Sequence, residues 1–341
     1  MDTNEKKINE LFLKWLIISL ILVFLIIIIG GLTRLTNSGL SITKWELIVG
    51  ILPPLNNNSW ENYFNQYKLI PQYKLLNFDM SLKEFKVIFY WEYFHRIIAR
   101  LIGIFFLIPL ILFYLSKKIR NEYMHISYLI FILIIFQGFI GWFMVKSGLV
   151  NDVTVSHYRL AIHLSTAFVI ILTIFWLLKN VKSNEIKSFF SFRYRNLPFQ
   201  FFILIIFIQI IMGAFVSGLN AGEIYQTWPT MGNSFLPNDL LLDSLQNFFD
   251  FSNHSLVQFY HRNLAYVIAL YTFFLALYIY KKKMYFLYNS FKILILFLLV
   301  QVILGILTLI SGLNIYLASL HQITSVLLIL SALNLYYLVA K

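Results

Sequence analysis

The 341-residue chain is 60% hydrophobic and only 12% charged, against about 25% charged residues in a soluble domain, which excludes an ordinary soluble enzyme and points to the membrane. Its net charge of +12 comes from Lys and Arg placed between apolar runs, where they set topology, so nucleic acid is not an expected partner. With no cysteine, disulfides, thiolate metal sites, iron–sulfur clusters and covalently attached c-type haem are all excluded.

The opening residues mix Asp2, Glu5 and Glu10 with Lys6 and Lys7. An acid-poor, Arg-rich transit peptide does not look like this, which favours a bacterial inner membrane. The first apolar run lacks a small-residue cleavage site and reads as a retained anchor. A helix crossing ~30 Å of hydrocarbon needs roughly 20 apolar residues. Eight runs qualify, at 15–32, 87–115, 126–144, 157–178, 199–216, 256–280, 293–310 and 315–339. The expected fold is therefore an all-α integral membrane protein of eight transmembrane helices.

Lys and Arg orient these spans. Lys6, Lys7 and Lys14 precede the first, Lys117, Lys118 and Arg120 follow the second, and Lys179, Lys182, Lys187, Arg193 and Arg195 follow the fourth. Lys281, Lys282, Lys283 and Lys292 lie between the sixth and seventh, whereas 218–258 holds no Lys or Arg, and its charged residues are Glu223, Asp239, Asp243 and Asp250. The loop after the first span carries five lysines, but long loops obey the rule weakly. Both termini are expected inside.

The chain repeats itself. Phe94-His95-Arg96 in the second span returns as Tyr260-His261-Arg262 in the sixth, and Gln137 and Gly141 in the third return as Gln301 and Gly305 in the seventh. Leu160-Ala161 before His163 returns as Leu317-Ala318 before His321. Two tandem four-helix units follow, 1–190 and 191–341. A histidine inside a span is costly and marks a functional site. His95, His163, His261 and His321 each lie within about 10 Å of the outer helix end at 1.5 Å per residue. Imidazole is a good axial ligand for haem iron, and two bis-histidine haem sites near the outer face is the reading that fits four repeated histidines. The alternative is that they only hydrogen-bond helices together. His125, His157 and His254 fall outside the repeat and outside the ligand set.

The halves differ at one informative position. Glu92 stands three residues before His95, and Gln258 three before His261. That spacing places Glu92 on the face of His95, where a carboxylate could take a proton or stabilise positive charge; otherwise it is a helix end facing water. Arg34, Arg96, Arg100, Arg159 and Arg262 lie in the same layer, suited to bidentate pairing with haem propionates or to snorkelling.

Five segments in order resemble the haem A synthases: GGLTRLTNSGLSITKWELIVGILPPL at 30–55, EYFHR at 92–96, VSHYRLAIHL at 155–164, GLNAGEIYQTWPTMG at 218–232 and VQFYHRNLAY at 257–266. The resemblance spans nearly the whole chain and is closest to the cysteine-free branch found in mitochondria and proteobacteria. It implies oxidation of the C8 methyl of haem O to a formyl group by successive hydroxylation, giving the haem A of terminal oxidases. It further implies substrate haem between His95 and His163, a haem B cofactor between His261 and His321, and a catalytic part for Glu92. A haem O synthase would supply the substrate and an electron acceptor, not identified by the residues, would take the electrons; membrane lipid surrounds the chain, and a homo-oligomeric state is left open. Two other functions remain: a di-haem b-type electron carrier, which needs haems at different depths, and a non-catalytic haem-handling protein for oxidase assembly, which needs no Glu92.

Overall fold

The computed structural model describes residues 3–44, 49–149, 153–240 and 244–340. Asp2, Asp243, Lys341 and positions 45–48 of the first family-like segment lie outside the described residues. The described residues form α1 (Thr3–Leu35), α2 (Asn57–Tyr67), α3 (Pro71–Leu76), α4 (Leu82–Ser116), α5 (Asn121–Gly148), α6 (His157–Ser183), α7 (Leu197–Gly218), α8 (Leu245–Phe248), α9 (His254–Lys281), α10 (Tyr288–Ile310) and α11 (Ile315–Val339). Among them there is no strand beyond a single bridge between Met231 and Ser234. Eight of the helices, α1, α4, α5, α6, α7, α9, α10 and α11, are long and apolar enough to cross a membrane. They correspond one for one to the eight apolar runs. Large apolar side chains such as Ile108, Leu112, Ile132, Leu296 and Leu299 stay exposed along them, as helices solvated by lipid require.

The helices overrun the apolar runs where their ends are capped. α4 begins ahead of residue 87 because Ser81 and Glu84 form a capping box. The Glu84 amide donates to Ser81 Oγ at 3.3 Å and the Ser81 amide donates to Glu84 Oε2 at 2.8 Å, satisfying two otherwise orphaned N–H groups. α9 begins at His254 because the Asn253 side chain accepts the Leu256 amide at 3.0 Å.

The long lysine-bearing loop after the first span is itself folded, which its charge pattern did not reveal. Asn56 caps α2 by accepting the Ser59 amide at 2.8 Å. Trp60, Phe64 and Tyr67 then share one helical face and pack on Phe85, Ile88 and Phe89 of α4. Phe64 meets Phe85, and Trp60 meets Phe89, each with ring centroids 5.0 Å apart. Such pairs contribute about 0.5–1.5 kcal/mol beyond burial. Gln72 completes the cover by donating Nε2 to the Asn37 carbonyl at 3.2 Å, just past the end of α1. Truncating the fully buried Phe85 to alanine would cost about 3–5 kcal/mol and release this cover from α4.

The chain divides into two compact units, Met1–Ile174 and Phe175–Lys341. In the first, α1 packs on α4 and α4 on α5; in the second, α7 packs on α9 and α11, and α10 on α11. The border falls inside α6 and not in the basic loop near residue 190 where the sequence pattern draws it. Side-chain packing explains the difference. Past Ile174, Trp176 stacks on Tyr336 at 5.4 Å and donates Nε1 to the Lys187 carbonyl at 2.9 Å. Lys179 Nζ donates to Asn334 Oδ1 at 2.9 Å. The second half of α6 therefore belongs with α11, while its first half carries His163.

Candidate functional site

Each unit brings its two repeated histidines face to face. His95 on α4 and His163 on α6 have ring centroids 6.4 Å apart and ring planes 66° apart. His261 on α9 and His321 on α11 are likewise 6.4 Å apart, at 76°. Metal–imidazole bonds of about 2.0–2.1 Å, with a ring centroid roughly 1.1 Å behind its nitrogen, set two imidazoles on opposite sides of one metal about 6.3 Å apart. Both pairs meet that spacing. Among the described residues no group of three or more His, Cys, Asp or Glu could hold a bare metal ion. A haem iron already has its in-plane nitrogens and asks the protein only for axial ligands, so the donor set suits haem and not a protein-only metal cage.

A second repeated feature shapes these pairs. Every imidazole lies flush against a glycine of a neighbouring helix. A Cβ on Gly30 of α1 would come within 3.1 Å of His95 Nε2, and one on Gly141 of α5 within 3.3 Å of His163 Cε1. A Cβ on Gly213 of α7 would come within 3.2 Å of His261 Cε1, and one on Gly305 of α10 within 2.9 Å of His321 Cε1. Small residues let helices approach this closely, and here the space saved is filled by the ring. One turn before three of these glycines stands a glutamine. Gln137 Nε2 donates to the His163 carbonyl at 2.9 Å, and Gln209 Nε2 to the His261 carbonyl at 3.0 Å. The Oε1 atoms of both glutamines and the Nδ1 atoms of His163 and His261 are buried without hydrogen-bond partners. In the sequence Gln137, Gly141, Gln301 and Gly305 stand out only as marks of duplication. Gln209 with Gly213, the same residues at the same spacing, and Gly30 are further members of the set, for which the repeat alone is the signal.

Glu92 is not a wet helix end: it is 2% exposed. Its Oε1 receives Arg96 Nη2 at 2.5 Å. Its Oε2 receives Ser41 Oγ at 2.7 Å and the Ile42 amide at 2.9 Å. Arg96 Nη2 also donates to the Ile42 carbonyl at 3.0 Å. The carboxylate and the arginine that flank His95 thus clamp the chain just after α1. Gln258, also 2% exposed, and Arg262 do the same in the second unit. Gln258 Nε2 donates to the Tyr225 carbonyl at 2.9 Å, and Arg262 donates to the carbonyls of Tyr225 at 2.6 Å and Thr227 at 2.8 Å. The Glu-to-Gln difference follows the polarity of the clamped loop. Loop donors face position 92 and a loop acceptor faces position 258.

The remaining candidates are dispersed. Arg34 Nη1 donates to Asn37 Oδ1 at 2.9 Å. Arg159 donates to the Phe143 carbonyl at 2.7 Å and covers the Phe143 ring. His157 packs on Tyr158 and His125 lies near Tyr128; neither joins a histidine pair.

Residues 13–333 match the model of a family described as cytochrome oxidase assembly protein. The chain belongs to that family. It is 48% identical to a protein named Heme A synthase from Pelagibacter ubique, over 99% of both chains. It is 39% identical to the Heme A synthase of Flavobacterium psychrophilum over 95% of this chain and 96% of the relative, and 40% identical to that of Rickettsia canadensis over 97% and 98%. The duplicated histidine pairs and their glycine cradles thus lie within the matched family region.

Proposed function

We propose that this chain is a haem A synthase: an enzyme that takes haem O and oxidises its C8 methyl to a formyl group by successive hydroxylation. The observation that carries the reading is the pair of equivalent 6.4 Å histidine arrangements, in a chain nearly half identical to a named Heme A synthase along its whole length. In this reading His95 and His163 hold the substrate haem in the unit corresponding to 1–190, and His261 and His321 hold a resident haem B in the unit corresponding to 191–341. Bound haem B supplies one-electron redox chemistry; the rest is the work of side chains. The glycines, having no Cβ, leave the space that the four imidazoles occupy against the neighbouring helices. Glu92, fixed by Arg96, Ser41 and Ile42, serves the first unit as an acid–base group or as a held negative charge that stabilises positive charge arising on oxidation. The aromatic cover of α2 on α4 keeps the clamped loop ordered.

Haem O comes from a haem O synthase; water gives the oxygen of the formyl group, protons are released to solvent, and an electron acceptor takes the electrons removed from the methyl carbon. The eight long apolar helices and the bacterial relatives support a multi-pass protein of the bacterial inner membrane. The Lys/Arg pattern supports haem sites toward the periplasmic side. Pigment extraction after expression with and without a haem O supply tests the function. Haem A formed only when haem O is supplied is the expected result. Haem B at both sites with no haem A would indicate an electron carrier, and haem O recovered unchanged would indicate a haem-handling protein.

A further inference from the structure

We propose that Gln137, Gln209 and Gln301 are positioning residues that key the imidazoles of His163, His261 and His321 into one ring orientation, and that Ile26 leaves His95 unkeyed as the releasable ligand of the exchanging haem. The proposal rests on the reading of the four histidines as haem ligands.

The spacing is the starting point. Gln137, Gln209 and Gln301 each stand four residues before the glycine that cradles a histidine, and four before Gly30 stands Ile26. On a helix that spacing puts both residues on one face, so each cradle carries a polar key except the one for His95. Two of the keys grip the histidine backbone carbonyl through Nε2. In those same two sites the glutamine Oε1, an acceptor, and the histidine Nδ1, a donor when it carries the ring proton, are buried without partners. In the third site the Gln301 side chain itself reaches the ring: its Nε2 lies 3.3 Å from His321 Nε2, its Oε1 accepts from Thr324 Oγ1, and the Gln301 backbone carbonyl lies 3.1 Å from His321 Nδ1. A metal-bound imidazole almost always gives its second N–H to an acceptor, which fixes tautomer and ring orientation.

Ring orientation follows the keys. His163, His261 and His321 present their Cε1 and Nδ1 edge to the glycine, whereas His95 presents Nε2 and Cδ2. It is turned over relative to the other three. The aliphatic Ile26 side chain offers no hydrogen-bonding group that could select an edge. This asymmetry suits two haems with different fates. The resident haem sits between two keyed ligands, while a substrate that must arrive and a product that must depart sit between one keyed ligand and one free to turn.

The test uses the purified full-length protein loaded with haem B and records haem loss to excess apomyoglobin, together with the low-spin electron paramagnetic resonance spectrum. Outer-shell partners of metal-bound histidines typically change affinity about 10–100-fold. Ile26→Gln should slow the faster loss phase by about that factor, with Ile26→Met as a control that leaves it alone. Gln209→Leu should speed the slower phase comparably and shift its g values, which report imidazole orientation and hydrogen bonding. Unchanged loss rates and spectra in both variants, while His261→Ala still strips haem, would overturn the keying and leave the ligand reading intact. Full haem retention in both His95→Ala and His261→Ala would overturn the ligand reading itself, and the proposal with it. Ile26→Gln breaks no side-chain hydrogen bond, so it remains informative even if Gln209→Leu fails to accumulate.

Discussion

Glu92→Gln separates the chemical from the structural part of the clamp. The amide oxygen can still accept from Ser41 and the Ile42 amide, but its NH2 would then face Arg96 Nη2, donor against donor, where the ion pair now closes at 2.5 Å. Loss of one hydrogen bond between charged groups costs about 1.5–3 kcal/mol. That is less than the ~3–5 kcal/mol for stripping a buried charge of its partner, because Arg96 keeps the Ile42 carbonyl. Hydrogen exchange at the Ile42 amide should therefore speed up roughly ten- to a hundredfold through local opening, with haem B content unchanged. Loss of a positioned acid–base group costs about 10²–10⁴-fold in rate, so haem A extracted from membranes should fall by that much while haem O or a hydroxylated intermediate accumulates. Ser41→Ala is the control, since it loosens the same loop but keeps the carboxylate and Arg96, and should leave haem A formation within about tenfold of the unmutated rate. If Glu92→Gln forms haem A as fast as the unmutated protein, the carboxylate is only a loop anchor. If Ser41→Ala falls as far as Glu92→Gln, loop order and not the charge is what matters.

Gly305→Ala would set a Cβ 2.9 Å from His321 Cε1 and should abolish the low-spin b-type spectrum of the second unit; Gly138→Ala, with nothing within 4 Å, should not, and equal spectra from both would refute the cradle. His261→Ala or His321→Ala should strip the haem B that copurifies, and a full b-type spectrum in either purified variant sinks the assignment. A reporter fused after Lys341 should be active only inside and one inserted near Asn233 only outside, with the reverse pattern overturning the topology. Burial opposes ionisation of Asp239, but hydrogen bonds from Ser255 and Tyr225, each 2.5 Å, and from its own amide hold its carboxyl below the ordinary 3.8. A carboxyl depressed on folding stabilises above its unfolded value and loses that contribution as pH falls through its folded value. Protease resistance of the 225–239 loop should thus hold at pH 5 and fall below pH 3.8, and Asp239→Asn should remove this pH dependence.

The eight membrane helices and the pairing of the four histidines could be read from residues alone. Both depend on local patterns: runs of about 20 apolar residues have one stable solution in lipid, and a duplicated frame that carries His95 and His163 must carry His261 and His321 into the same relation. The direction of Glu92 could not be read this way. Helical spacing placed it beside His95, but its partners, Ser41 and Ile42, lie about fifty residues away in the chain, and whether a loop offers donors or carbonyls to a buried side chain depends on how its backbone arrives. The border inside α6 was set by Trp176 and Lys179 finding Tyr336 and Asn334 on α11, a contact that no basic loop announces. The ring edge that His95 turns toward Gly30 of α1 could likewise not be read from spacing. Hydropathy and periodicity are properties of neighbours along the chain, so they determined the helices and which histidines pair. Hydrogen-bond partners and ring orientations are properties of neighbours across space, and only the packed structure decided them.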